Sequence, residues 1–320
     1  MKWKEALLLS NMPLEFDAAR LLVEEGFVVN SDFRYAWDST GTGRDSAIDL
    51  HARTFFPFSE FPDKAAQVEL LVDCRHRSPG TVGLFLPDPN PAGASPRSPG
   101  NTVRVIDQFS PYLIQPDAMT AFDADLPVCY KGMEVNLKSG EVDETLFTAG
   151  LWQLQNPLPR LLTENVLGFL TGPRSANFPF FFCPVLLTTS ALFVLKRDIR
   201  LEEIEHAENV QELGTEIPFL VMCSDMSPDF KVRCISESGR LKPLLRTEKA
   251  MEIEMKKARY YNSHFNLPFT IIDALNTADY YYMNTFFTRF IICSNACFPE
   301  FVRKFKQASV NALKTHEILN

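Results

Sequence analysis

Ser46-Ala47-Ile48-Asp49-Leu50-His51-Ala52-Arg53 and Val68-Glu69-Leu70-Leu71-Val72-Asp73-Cys74-Arg75 are the two stretches on which the fold turns. In the first, Ile48, Leu50 and Ala52 alternate with Asp49, His51 and Arg53; in the second, Val68, Leu70, Val72 and Cys74 share one side and Glu69, Asp73 and Arg75 the other. Period two makes each a strand with one apolar face, and it forces Asp73 and Arg75 to point the same way. On neighbouring strands this gathers two carboxylates and a cation, the groups that a metal-dependent phosphodiester-cleaving site uses. A competing account needs no metal: Asp49, Asp73 and Arg75 pair as ions across one face of the sheet. Asp49 taken alone reads as a solvated carboxylate.

Upstream, Leu14, Ala18, Leu21 and Leu22 have helical spacing between Leu14 and Glu25, and Gly26 supplies a stop before Phe27-Val28-Val29 opens a strand. Asp38 to Asp45 is a polar, glycine-bearing turn without the lysine or spacing of a phosphate-cradling loop. Pro87 to Pro99, PDPNPAGASPRSP, buries little and donates few backbone hydrogen bonds, which predicts a loop. From Glu144 to Leu170 the apolar residues follow helical periodicity, broken at Pro157 and Pro159. Strands are expected near 184–195, 219–223 and 286–293, an acidic helix at 201–211 and a closing helix at 298–313. Strands alternating with helices make an α/β layered domain. The clusters Tyr260-Tyr261 and Tyr280-Tyr281-Tyr282 suit either base stacking or a core.

A chain of 320 residues, 46% hydrophobic, can bury a full core. Its formal charge of −8 excludes an all-over polyanion binder and confines any nucleic-acid contact to a local patch. The seven cysteines show no CxxC pair and no framework spacing, so reduced cytoplasmic thiols are expected; Cys293 and Cys297 lack further partners for zinc. The apolar run after Lys2 and Lys4 is too short for a signal peptide. The uncharged stretch from Phe178 to Leu195 reaches membrane-span length, but its prolines and hydroxyl residues favour a buried strand, and no membrane association is expected.

The order helix, strand, strand with Asp, strand with Asp-x-basic resembles the core of the PD-(D/E)XK nuclease superfamily, and within it looks most like Mrr-type restriction endonucleases and archaeal Holliday-junction resolvases. Leu14 to Phe27 is similar to that family's opening helix, with Glu15 at its acidic position; Ile48-Asp49 matches the metal-binding aspartate, and Val72-Asp73-Cys74-Arg75 the (Asp/Glu)-x-Lys strand. The resemblance covers residues 14–76, with a fainter echo at Pro184 to Ala191. The segment Pro184 to Ala191 resembles a strand and turn that follow the catalytic strands in some relatives. The resemblance implies a restriction-endonuclease-like α/β domain over 1–320, a mixed central sheet flanked by helices. Core elements would fall at about 12–80, 144–223 and 286–315, and large insertions at about 84–143 and 225–285.

The resemblance further implies a DNA endonuclease in which Asp49 and Asp73 hold Mg²⁺ or Mn²⁺, Glu15 orients a metal-bound water, and Glu15, Asp49, Asp73 and Arg75 form the catalytic set. The family's lysine is Arg75 here, and a guanidinium keeps its charge but cannot act as a neutral base. The site is therefore atypical or weakened, and Lys64 is a candidate for a migrated lysine. The alternative is a catalytically inactive nucleic-acid-binding or scaffold module. Arg75 and Arg77 are the candidate phosphate contacts, or the end of a strand in water. His51 shares the Asp49 face, as a supporting group or a surface histidine. DNA is the expected partner; a homodimer or a protein partner through the carboxyl-terminal half stays open.

Overall fold

Helix α1 (Lys2–Leu8) leads into α2 (Met12–Glu24), where Pro13 occupies the first turn, a place that needs no intrahelical N–H. Leu14, Ala18 and Leu22 recur every fourth residue and are buried. The helix ends at Gly26, whose φ of 90° costs a glycine nothing. Its N–H reaches the Val23 carbonyl at 3.0 Å while the Phe27 N–H reaches the Leu22 carbonyl at 2.9 Å, the two bonds of a Schellman ending. These relations come from a computed structural model that describes residues 2–37, 44–58, 62–90, 95, 102–106, 110, 114, 121–172, 178–264, 283 and 286–313. The expected Asp38–Asp45 turn, the Pro87–Pro99 loop and Tyr280 to Tyr282 lie wholly or largely outside them, as do the side chains of Tyr260 and Tyr261.

Strands β1 (Val28–Trp37), β2 (Arg44–Pro57) and β3 (Ala65–Arg75) form an antiparallel meander, with Leu50 opposite Val72 and Arg53 opposite Glu69. β3 lies parallel to β8 (Phe180–Thr188), which in turn lies parallel to β12 (Arg289–Ser294). Every residue of β8 is buried. Phe180, Phe182 and Leu186 enter one core, and Phe181, Cys183, Val185 and Leu187 enter the other. A strand covered on both faces is apolar without alternation, which is why Phe178 to Leu195 has membrane-like composition. No helix among the described residues is long and apolar enough to cross a membrane.

The first core lies under α3 (Leu146–Gln155) and α4 (Leu158–Thr171), which part at Pro157, and under α7 (Pro228–Leu241); the second lies under α2 and α9 (Phe298–Ala312). In α9, Phe298, Phe301, Val302, Phe305 and Ala312 make the inward stripe. β3 and β8 each turn a corner, into β4 (Thr81–Pro87) and β9 (Ala191–Leu195), which again pair in parallel. Thr189 fastens the two corners: its hydroxyl accepts from the Arg77 N–H at 2.7 Å and its own N–H reaches the Arg75 carbonyl at 3.3 Å.

The sheet continues through β6 (Val128–Asn136), β10 (Gly214–Ile217) and β11 (Phe219–Cys223), in the order β1-β2-β3-β8-β12-β11-β6-β4-β9-β10. The short β5 (Arg104–Ile106) pairs with β8 and β7 (Val142–Asp143) with β6. Helices α5 (Leu201–His206), α6 (Val210–Leu213) and α8 (Glu248–His264) complete the described elements. The architecture is α/β, a large mixed sheet with helices on both faces. Segment 84–143, expected as an insertion, supplies β6 and most of β4 to that same sheet.

Candidate functional site

Alternation along β3 sends Gln67, Glu69, Leu71, Asp73 and Arg75 to the face that α3 and α4 cover. The face read from sequence as polar is therefore enclosed. His51, Glu69 and Asp73 are all buried, and a buried polar group needs partners. Glu69 accepts from His51 Nε2 at 2.6 Å, from Arg53 Nε at 2.8 Å and from Gln67 Nε2, whose amide also donates to Asn165 of α4 at 3.1 Å. His51 is thus a core histidine held by a carboxylate.

Asp49 departs from the strand period. Ile48 packs in the first core, whereas Leu50 and Ala52 pack in the second, so alternation breaks at the residue between them. The β2–β3 ladder ends with Leu50 opposite Val72, and the next inward N–H of β3, that of Cys74, would lose its partner. Asp49 Oδ2 accepts it at 2.7 Å. That bond draws the carboxylate into the plane of the sheet and against β3.

Glu15, in the first turn of α2, faces the same strand end. Burial raises the Cys74 thiol's pKa, and the charges of Asp49, Asp73 and Glu15 raise it further; α2 nevertheless packs on the face of β3 that holds Cys74, whereas Asp73 and Arg75 lie on the face under α3, so Glu15 is not gathered with the Asp73–Arg75 pair. Asn11, just before α2, accepts the His76 N–H at 2.9 Å and keeps the helix start beside the strand end. Lys64 is at the opposite end of β3, roughly 30 Å away by strand rise, paired with Asp63 at 3.1 Å.

Arg75 turns toward the protein, with its side chain 22% exposed. Its Nε meets Asp73 Oδ2 at 2.6 Å, one Nη meets Oδ1 at 3.2 Å, and the same Nη donates to Gln153 Oε1 of α3 at 2.7 Å. Burial pushes the Asp73 pKa up to about 7; Arg75 opposes this and the charge of Asp49 adds to it. Arg77, the other candidate phosphate contact, is committed as well. Its Nε meets Glu134 Oε2 at 2.6 Å, and Ser190 donates to the other oxygen of that carboxylate at 3.3 Å. Burial raises the Glu134 pKa, with Arg77 opposing.

Gln153 was missed in the sequence, and so was Gly150, one turn earlier. A β-carbon at 150 would collide with Leu186 Cδ1 and lie 3.4 Å from Asp73 Oδ2, so any larger residue must displace the buried Leu186 or move α3 away from β3 and β8. A glycine inside an otherwise apolar helix, where it costs about 1 kcal/mol against alanine, was the available signal. Gly150→Val is expected to lower stability by about 1–3 kcal/mol through overpacking and to draw Gln153 off Arg75. Gly239→Ala in α7, where a β-carbon meets nothing within 4 Å, is the control and is expected to be neutral or stabilising by urea denaturation. Equal losses in both variants would remove the argument for close approach.

These residues do not fit a divalent cation as they are arranged. Both Asp73 oxygens face one guanidinium, Asp49 Oδ2 is on a backbone N–H, and among the described residues no three His, Cys, Asp or Glu side chains group as a metal would require. Comparison with known proteins returns no match to the chain, whether among family models, curated proteins or solved structures.

Proposed function

We propose that the chain is a nuclease-like protein acting on DNA, with Mg²⁺- or Mn²⁺-dependent phosphodiester hydrolysis weakened by the substitution at Arg75. The observation that carries this reading is the placement of Asp49 beside Asp73 at the end of β3, Asp49 on the Cys74 N–H and its charge adding to the rise in the Asp73 pKa, with Arg75 paired to Asp73. Supporting it is the order of elements: a helix, a three-stranded antiparallel meander and, after strands β4 to β7, two helices that lead into a strand parallel to the third. Carboxylates at one strand end are a costly choice for stability alone, because burial disfavours their charge. Free thiols at all seven cysteines suit a reducing compartment, and we assign the chain to the cytoplasm on that ground.

The Arg75–Asp73 pair favours a second reading, a catalytically silent module that binds nucleic acid or a protein while keeping the nuclease-like build. Incubation with linear, supercoiled and branched DNA plus Mg²⁺ or Mn²⁺ separates the two. Slow cutting that drops to background in Asp49→Ala and in Asp73→Ala is expected. Cutting that survives both substitutions ends the assignment of the site, and DNA binding without cutting selects the silent module.

A further inference from the structure

We propose that Arg75 is the resident cation of this site: its guanidinium takes the place a divalent ion would need at Asp73 and keeps the native chain, while no DNA is bound, from holding one there. The proposal rests on reading the acidic residues as a nuclease-like site, but its test uses no DNA, so failure of cleavage and failure of the plug are seen separately.

Asp73 and Arg75 are two residues apart on one strand face, so the backbone itself brings the side chains together. A planar guanidinium offers five donors in a fork that matches a carboxylate's two oxygens, and Arg75 uses it on both at 2.6 and 3.2 Å. Gln153 anchors the fork from the opposite side at 2.7 Å. Gly150 lets α3 close over the carboxylate, with the missing β-carbon's position 3.4 Å from Asp73 Oδ2. Asp49 is held beside the pair by the Cys74 N–H. Helix, strand and guanidinium thus fill the space around Asp73 in which Mg²⁺ or Mn²⁺ would have to place its octahedral ligands. Lysine would not do the same. Its ammonium is a compact point charge with strong hydration, and it cannot face both carboxylate oxygens in the plane of a fork and also reach Gln153.

The decisive measurement is the free Mn²⁺ electron paramagnetic resonance signal during titration of the full chain, with no nucleic acid present. Native protein should leave the signal unchanged in any manner that depends on Asp73, so that native and Asp73→Asn titrations coincide. Arg75→Gln should bind Mn²⁺ at least about tenfold more tightly than native protein, and Arg75→Gln/Asp73→Asn should lose that gain. Arg75→Lys retains a positive charge for Asp73 and should fold even if Arg75→Gln does not; a smaller gain is expected from it. Native protein that binds Mn²⁺ and loses it in Asp73→Asn overturns the proposal. So does the absence of any gain in a folded Arg75 variant, because Arg75 would then not be what keeps the ion out.

Discussion

Arg104→Met is expected to lower the unfolding free energy by about 3–5 kcal/mol, measured by urea titration. Arg104 is among the largest fully buried side chains of the protein. Its Nε donates to the Phe286 carbonyl at 2.7 Å, and its two Nη atoms donate to the carbonyls of Thr102 and Arg289. The guanidinium carbon lies 5.8 Å from the Phe182 ring centre and 5.5 Å from that of Phe290. β5 pairs with β8 at Phe180 to Phe182, and β12 pairs with β8 at Val185 to Thr188, so one residue stitches the end of β5 to the chain entering β12. Burial pushes the Arg104 pKa down to about 9, a sign that the charge itself is held at a cost. Replacing a buried ion with an apolar side chain is often neutral, but here the acceptors are main-chain carbonyls that stay in place. Each one left without a donor costs about 1–3 kcal/mol. A loss below about 1 kcal/mol would mean that water or a neighbouring donor reaches those carbonyls, and that Arg104 is not the stitch.

The elements legible in the sequence are those whose local pattern and burial agree. Leu14, Ala18 and Leu22 with Gly26 give α2 within two residues at its start and one at its end. The stretch at Phe298 gives α9 as Phe298–Ala312, and the uncharged stretch at Phe178 gives a strand because β-branched and aromatic residues outlast the prolines. That run is in fact two strands, β8 and β9, with a corner at Thr189 and Ser190. Periodicity alone runs one strand through it, although the resemblance at Pro184 to Ala191 implies a strand and turn; the partners that fix the corner, Arg75 and Arg77, are remote in sequence.

At the site, period two correctly put Asp73 beside Arg75 but could not say whether their face is wet. Coverage by α3 depends on Gly150 and Leu186, which are 36 residues apart, and no spacing rule joins them. Asp49 shows the converse failure: its pattern continues perfectly through Ile48 and Leu50, while the chain turns there because the ladder to β3 has ended. A hydrogen-bonding need of Cys74, not the hydrophobic pattern, sets where that carboxylate points. Arg75 and Arg77, read as candidates for phosphate, are paired with Asp73 and Glu134 for a related reason. Carboxylates on an enclosed face must be neutralised by whichever cation the backbone brings near.

Folding stability is expected to fall as pH rises from about 4 to about 7, by up to about 4 kcal/mol from Asp73 alone, and Asp73→Asn should remove that part of the slope. Asp73 shifts from 3.8 to about 7 in the folded chain, so between those values the folded state holds a proton that the unfolded state has released. Stability decreases with pH wherever the folded state binds more protons; below about 4 both states are protonated and above about 7 both are ionised, so the loss is confined to that window. Burial dominates the shift, with Arg75 and Arg77 opposing it and Asp49 reinforcing it. Glu134 and Asp123 are also raised by burial and tilt the curve the same way, so a shallower slope should remain in Asp73→Asn. Urea titrations at pH 4.5 and pH 8 read the difference directly. Native and variant curves that run parallel would show that Arg75 holds Asp73 ionised across the whole range and that burial has been overcome. If the slopes differ as expected, the ionised form of Asp73 above about pH 7 is held at a cost to the fold. Such a cost is common where a side chain serves a site rather than the structure around it. The same variant must then lose either DNA cutting or, in the Arg75→Gln background, Mn²⁺ binding for Asp73 to count as functional.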